Sequence, residues 1–301
     1  MQTRKEVSMT ISIAWIKRTK KAEQLLFVSD SRISGGETFD CCPKILCLSN
    51  RHAIAFAGNS DRAFPLMLQL SLALESHRPS ALGQLSVAQV KQHALVMFDE
   101  MAAQISGSNL HPPQEVLPGV SFLFGGYSWD TKRFQLWSIE YNAGKKAFAA
   151  IPARWLSFKG NRLYASSSKS PINSNVGSLI MFGGDQALDA QEQLFRIIAA
   201  KYPEPQKFTS LSMEPLIVVR DMLRQAAPGA SIGGALQLVN IRQNLQAECF
   251  GVYWPNKEAQ TIHLQGRRLT KYERIDNPVI DPDSLEIEYP WLTKSADEPV
   301  E

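Results

Sequence analysis

Side chains able to do chemistry are thinly spread along this 301-residue chain. The obvious metal and redox ligands do not assemble into a pattern. The four cysteines are Cys41, Cys42, Cys47 and Cys249, with no CxxC pair among them. Adjacent Cys41 and Cys42 would face opposite sides of an extended strand. Three thiols crowd together and the fourth is distant, which argues against a disulfide framework and for reduced thiols in a cytoplasmic protein. The five histidines stand singly, so neither a metal centre nor a cofactor is expected. The net charge is +3, and no Lys/Arg run is interleaved with aromatics, so no nucleic-acid partner is expected. The densest basic cluster, KRTKK at Lys17–Lys21, reads as a solvated hairpin tip. There is no P-loop for an ATP-driven step. No run approaches the ~18 to 20 apolar residues that cross a bilayer, so no membrane partner is expected. The opening MQTRKEVSM lacks the apolar stretch of a signal peptide and reads as a leader or a mis-assigned start.

Whatever chemistry exists must therefore be positioned by the fold. Ile11, Ile13 and Trp15 alternate with small residues, the period-two pattern of a strand. Leu25-Leu26-Phe27-Val28 is a continuous apolar run, as in a strand covered on both faces. Pro43–Leu48 and Ala53–Gly58 read as further strands around a Ser49-Asn50 turn. Helical spacing then takes over, from Ser60 to about His77 and from Ser86 to about Ile105, with Ser86 as an N-cap. Strands return at Gly119–Gly126, Phe134–Tyr141 and near Phe148–Ile151. The stretch 153–176 is turn-rich and reads as an insertion or an extra hairpin. Helices follow at Leu188–Ala200 and Glu214–Ala227, with a loop at Pro203–Met213 between them. Strands close the pattern at Gly233–Asn240, Cys249–Tyr253 and Thr261–Leu264. The acidic segment 271–301 reads as a C-terminal tail, an arm or partly disordered. Blocks of strands alternating with paired helices predict an α+β fold of two antiparallel sheets face to face, each covered by a helix pair. A Rossmann fold would interleave single strands and helices, and no GxGxxG turn stands in that context.

Several short blocks in this order resemble the proteasome-type N-terminal-nucleophile hydrolases, including proteasome β-subunits and the peptidase subunit of the simpler bacterial ATP-dependent protease. T-I-S-I-A-W at Thr10 is similar to the family's threonine-led first strand, and V-S-D-S-R to its second. P-K-I stands where the family carries a lysine, and A-F-A-G-N-S-D-R-A resembles the Ala-Gly turn into the first long helix. L-F-G-G-Y-S-W-D with F-Q-L-W-S-I-E, F-G-G-D-Q-A and S-I-G-G-A-L-Q-L-V resemble later landmarks. The match covers about Thr10 to Tyr253 and implies a four-layer αββα sandwich spanning 10–270.

The resemblance also implies a chemistry. A threonine at the first position of the mature chain attacks a carbonyl through its hydroxyl while its free α-amine takes the proton. By resemblance, Thr10 is that nucleophile. Lys44 depresses the pKa of the amine, Asp30 orients Lys44, and the Gly58 backbone N–H faces the developing oxyanion. The expected activity is hydrolysis of a peptide or protein substrate through an acyl-enzyme, from a homo-oligomeric ring, with any ATPase unfoldase a separate chain. The chemistry requires Thr10 to be residue one. The family usually has glycine before the threonine where Met9 stands here, so a start at Met9 followed by methionine removal is the expected route. Two supporting positions also depart from the pattern. Gly229 and Ile232 replace an aspartate and a serine, with Ser231 one residue away. Gly184 and Asp185 occupy the neighbourhood of another expected serine. Two alternatives stand beside the peptidase: a catalytically inactive ring-forming or binding protein, and an amidase for a small amide.

Overall fold

Continuous apolar strands are buried on both faces, and the two alternating sets of side chains go to different places. A computed structural model describes residues 10–19, 22–34, 37–104, 119–159, 162–166, 177–204 and 207–290 of the chain. Residues 1–9, expected as a leader or a mis-assigned start, and residues 167–176 of the expected insertion 153–176 lie outside the described residues.

The first sheet-forming block is β1 (Ser12–Arg18) and β2 (Glu23–Ser29), a short hairpin of β3 (Ile33–Ser34) and β4 (Thr38–Phe39), then β5 (Ile45–Leu48) and β6 (His52–Gly58). Helices α1 (Ser60–Ser76), α2 (Arg78–Ala81, one turn) and α3 (Val87–Gln104) follow. The next strands are β7 (Val120–Ser128), β8 (Arg133–Asn142), β9 (Ala147–Pro152), β10 (Arg154–Lys159), β11 (Arg162–Ser166) and β12 (Ser178–Gly183). Helices α4 (Ala187–Lys201) and α5 (Glu214–Gln225) come next. The chain ends in β13 (Gln237–Arg242), β14 (Ala247–Tyr253), β15 (Ile262–Leu264), β16 (Arg267–Arg268), β17 (Val279–Ile280) and β18 (Ile287–Glu288).

These strands form an α+β fold with two main sheets. The larger runs β11-β10-β12-β1-β2-β13-β14-β15-β16, and the smaller runs β5-β6-β7-β8-β9. Neighbours along both paths are antiparallel. The short β17 joins β14 in parallel.

The strand periodicity sorts the core into three apolar clusters. Ile13 and Trp15 of β1 and Leu26 and Val28 of β2 pack with Leu194 and Ile198 of α4 and Leu216 and Val219 of α5. Ile54 and Phe56 of β6 and Phe122 and Phe124 of β7 pack with Leu66 and Leu70 of α1 and Val90 and Phe98 of α3. The opposite faces of the same strands, Ala14, Leu25, Phe27, Ala53, Ala55 and Leu123, meet one another in a third cluster. Fully burying each large side chain stabilises by about 1.5–3 kcal/mol, so the period-two alternation locks the register. A one-residue slip of β1 would exchange Trp15 for Ala14 and fill neither layer.

Helix starts follow local chemistry. The Asn59 side chain accepts from the Arg62 N–H at 3.3 Å to cap α1. Ser86 and Gln89 exchange backbone-to-side-chain hydrogen bonds before α3, a reciprocal capping box.

The C-terminal segment differs from the expected free arm. Val279 and Ile280 are fully buried, and Asp283 accepts two hydrogen bonds from the Arg224 guanidinium, at 2.7 and 2.8 Å. Apolar burial and charge pairing therefore hold the segment through Pro290 against the large sheet, and the remainder of the expected tail, 291–301, lies outside the described residues.

Candidate active site

The antiparallel order of the large sheet brings chemistry-bearing residues to one rim. β1 lies between β12 and β2, pairing Ser12 with Gly183 on one side and with Ser29 on the other. Extending those registers by two residues sets Thr10 beside Asp185 and Ser31. Asp30 is the first residue beyond β2, and Gly233-Gly234 precede β13 on the far side of β2. Lys44 comes from the other sheet, immediately before β5. Its carbonyl accepts from the Phe56 N–H at 3.1 Å, continuing the β5–β6 ladder.

These positions converge on the lysine. Lys44 Nζ donates to Thr10 Oγ1 at 3.2 Å and to Asp30 Oδ1 at 2.8 Å. All three residues are sealed from solvent, at 3% exposure for Thr10, 0% for Asp30 and 1% for Lys44. Asp30 accepts more than the lysine. Its Oδ1 takes the Ile11 N–H at 3.3 Å, and its Oδ2 takes the Arg32 N–H at 3.0 Å and the Gly233 N–H at 3.3 Å. The Arg32 bond is the turn-capping role ordinary for aspartate at the end of a strand, and here it coexists with the ion pair. Burial pushes the Asp30 carboxyl above its usual range, while the Lys44 charge and then the backbone N–H groups of Arg32 and Ile11 pull against that rise. Every one of these partners donates, so the surroundings are matched to the carboxylate.

The Thr10 N–H donates to Asp185 Oδ1 at 2.7 Å. Gly184 makes this approach possible: its φ is +98°, and a Cβ there would lie 1.8 Å from the Thr10 carbonyl oxygen. Gln237 was not among the expected residues, yet it ties the two sheets at the site. It is fully buried. Its Oε1 accepts from the Lys44 N–H at 3.0 Å, and its Nε2 donates to the carbonyls of Asp30 at 3.1 Å and Cys42 at 2.7 Å. The Ser12 hydroxyl lies 2.9 Å from Ser29 Oγ and 3.2 Å from the Phe56 carbonyl, bringing the end of β6 over the start of β1.

Gly58 terminates β6 at this end. Its φ is +112°, and a Cβ would meet the Gly119 carbonyl oxygen at 1.9 Å, so only glycine makes the turn into α1. Among the described residues Gly58 makes no hydrogen bond with Thr10, Asp30 or Lys44. Ser231 does not join them either. It is buried but lines a separate cleft of about 540 Å³ with Gln186, Asp189 and Met222. The neighbouring Gly233 reaches the site through its backbone, its N–H donating to Asp30 Oδ2.

The arrangement can polarise a hydroxyl. An ammonium within hydrogen-bond reach of Thr10 Oγ1 stabilises negative charge developing there. As the chain stands, the Met9–Thr10 peptide bond makes the Thr10 nitrogen an amide, which cannot serve as a base. Among the described residues no group of three or more His, Cys, Asp or Glu side chains is placed to hold a metal ion, and no helix is long and apolar enough to cross a membrane. No protein-family model and no curated protein matches this chain.

Proposed function

We propose that the chain is a threonine-type amide hydrolase of the proteasome-like N-terminal-nucleophile group, built as the four-layer αββα sandwich of that group. The observation that carries the reading is the Lys44 ammonium, bonded at once to Thr10 Oγ1 and to the sealed Asp30 carboxylate. Three separate segments from two sheets supply these groups, an expensive arrangement for a purely structural contact. The three apolar clusters, one between the sheets and one under each pair of long helices, support the layered fold.

The reaction begins once Thr10 is the first residue. Thr10 Oγ1 attacks the substrate carbonyl, its proton passes to the α-amine, and Lys44 stabilises the charge developing on the hydroxyl oxygen. The Gly58 N–H receives the oxyanion. The amine leaving group takes the proton back, and an ester links the acyl part of the substrate to Thr10. Water then attacks the ester, releasing a carboxylic acid and restoring the hydroxyl. A homo-oligomeric ring, fed where proteins are the substrate by a separate ATPase, belongs to the same proposal.

The second reading is an inactive ring-forming or binding module. Thr10 is buried, with its N–H committed to Asp185, and Ser231 lends the nucleophile no hydrogen bond. One experiment separates the two. A chain whose first residue is shown by mass spectrometry to be Thr10 is treated with a peptide electrophile. A single adduct on Thr10, lost in Thr10→Ala, together with turnover of an amide substrate is the expected result. A confirmed N-terminal Thr10 that takes no label overturns the hydrolase and leaves the module. Comparing peptide with small-amide turnover distinguishes a peptidase from an amidase.

A further inference from the structure

Cys47 and Cys249 are separated by 202 positions in the chain, yet their sulfurs lie 3.4 Å apart. Cys47 is on β5 of the smaller sheet and Cys249 on β14 of the larger, and both pack against the cluster between the sheets. All four cysteines are free thiols. The pair is half-buried and opens on a cleft of about 330 Å³ lined by Asn50, Glu248, Asp276 and Asn277 as well as the two cysteines. Gln265 Nε2 donates to Cys249 Sγ at 2.9 Å. A donor aimed at sulfur favours the thiolate, the nucleophilic form.

We propose that Cys47 and Cys249 form a reversible disulfide that clamps the two sheets together, with Cys249 as the attacking thiol and Cys47 as the resolving one. The oxidant is a hydroperoxide. The Cys249 thiolate attacks the terminal oxygen, the O–O bond breaks, and hydrogen peroxide yields a sulfenic acid and one water. Cys47 Sγ attacks that sulfenic sulfur, the S–O bond breaks, and a second water leaves with the Cys47 proton. Two thiols are oxidised by two electrons and one peroxide is reduced to two waters. Closing from 3.4 Å to the ~2.05 Å of a disulfide moves each sulfur by under about 1 Å. The asymmetry of roles has electrostatic support. The hydrogen bond from Cys47, and with it that from Gln265, holds the Cys249 thiol below its ordinary range against the opposing effect of burial. The same thiol–thiol bond and burial push Cys47 up.

The test uses the full chain, treated with equimolar hydrogen peroxide, then alkylated and digested. The expected result is one linked peptide pair containing Cys47 and Cys249, absent after a thiol reductant and still formed in the Cys41→Ser/Cys42→Ser variant. Cys47→Ser should instead accumulate a sulfenic acid at Cys249, trapped by a dimedone probe. Gln265→Leu should slow crosslinking about three- to tenfold, the effect of losing one hydrogen bond to a charged sulfur. Full alkylation of both thiols after peroxide, or a linkage through Cys41 or Cys42, overturns the proposal. The wild-type measurement needs no variant to fold.

Discussion

Two lysine–carboxylate pairs in this molecule share a buried acid and differ in nearly everything else. Lys201 bonds Glu214 at 2.6 Å, with the lysine half exposed and the glutamate 1% exposed. Glu214 opens α5 and also accepts the Ser212 N–H, while Lys201 closes α4. Each charge therefore sits at the helix end whose dipole favours it, and water reaches the cation. Lys44 and Asp30 sit at no helix end and are shut off from bulk solvent, with exposures of 1% and 0%. Backbone N–H groups from three segments are spent on Asp30 instead. A pair that only needed to hold elements together could be built as Lys201–Glu214 is. The sealed pair marks the place where the chain accepts desolvation to hold an ammonium against one particular hydroxyl.

That contrast can be broken by mutation. Lys44→Met should cost about 3–5 kcal/mol of unfolding free energy, because it strands a buried carboxylate, and a urea midpoint measures it. A loss below ~1 kcal/mol would mean that the pair behaves like a solvated one. The second-largest effect concerns a buried group that stays neutral. Burial, reinforced by the Arg51 charge, pushes the His52 imidazole down to about 4, so the folded state refuses a proton that the unfolded chain accepts near its ordinary 6.5. Stability from this source is complete above about pH 6.5 and is lost as pH falls towards 4, on the order of 2–3 kcal/mol. NMR titration of the ring, alongside stability measured across that window, reads both quantities. Asp185→Asn replaces the acceptor of the Thr10 N–H and should cost about 1–2 kcal/mol. In a chain beginning at Thr10, it should also lower the pKa of the terminal amine, moving the acid limb of the hydrolysis profile to lower pH. Smallest is Lys201→Ala, at about 1 kcal/mol or less, since water can replace the exposed ammonium. A loss as large as that of Lys44→Met would erase the distinction between the two pairs.

The strands and long helices were readable because each alternation or helical stripe reports a face that must be buried. Ile13 and Trp15 against Ala14 and Ile16 is the plainest case, the two sets going to opposite sides of the large sheet. The site was readable only in part. Thr10, Asp30 and Lys44 were expected together from family-like blocks, since nothing in their spacing says that strands from two sheets end at one rim. Asp185 became an acceptor for Thr10 only through the register of β1 on β12, which a linear pattern does not contain. Gln237 offered a fainter signal, a lone amide inside the apolar run A-L-Q-L-V. Cys249 seemed remote from Cys47 because their contact depends on sheet stacking. The segment after Asp276 misled through composition: acids and prolines are interleaved with its apolar residues so that no strand or helix period stands out, yet Val279 and Ile280 anchor it.

Gln237 also bears on how the site moves. Its single amide satisfies the Lys44 N–H and two carbonyls from neighbouring segments, so freeing Lys44 means parting the sheets. The Lys44 amide should then exchange with solvent deuterium only when the whole domain opens, at the slowest rate in the molecule. A ligand arriving at this rim would meet groups already set in place and would have little ordering left to impose.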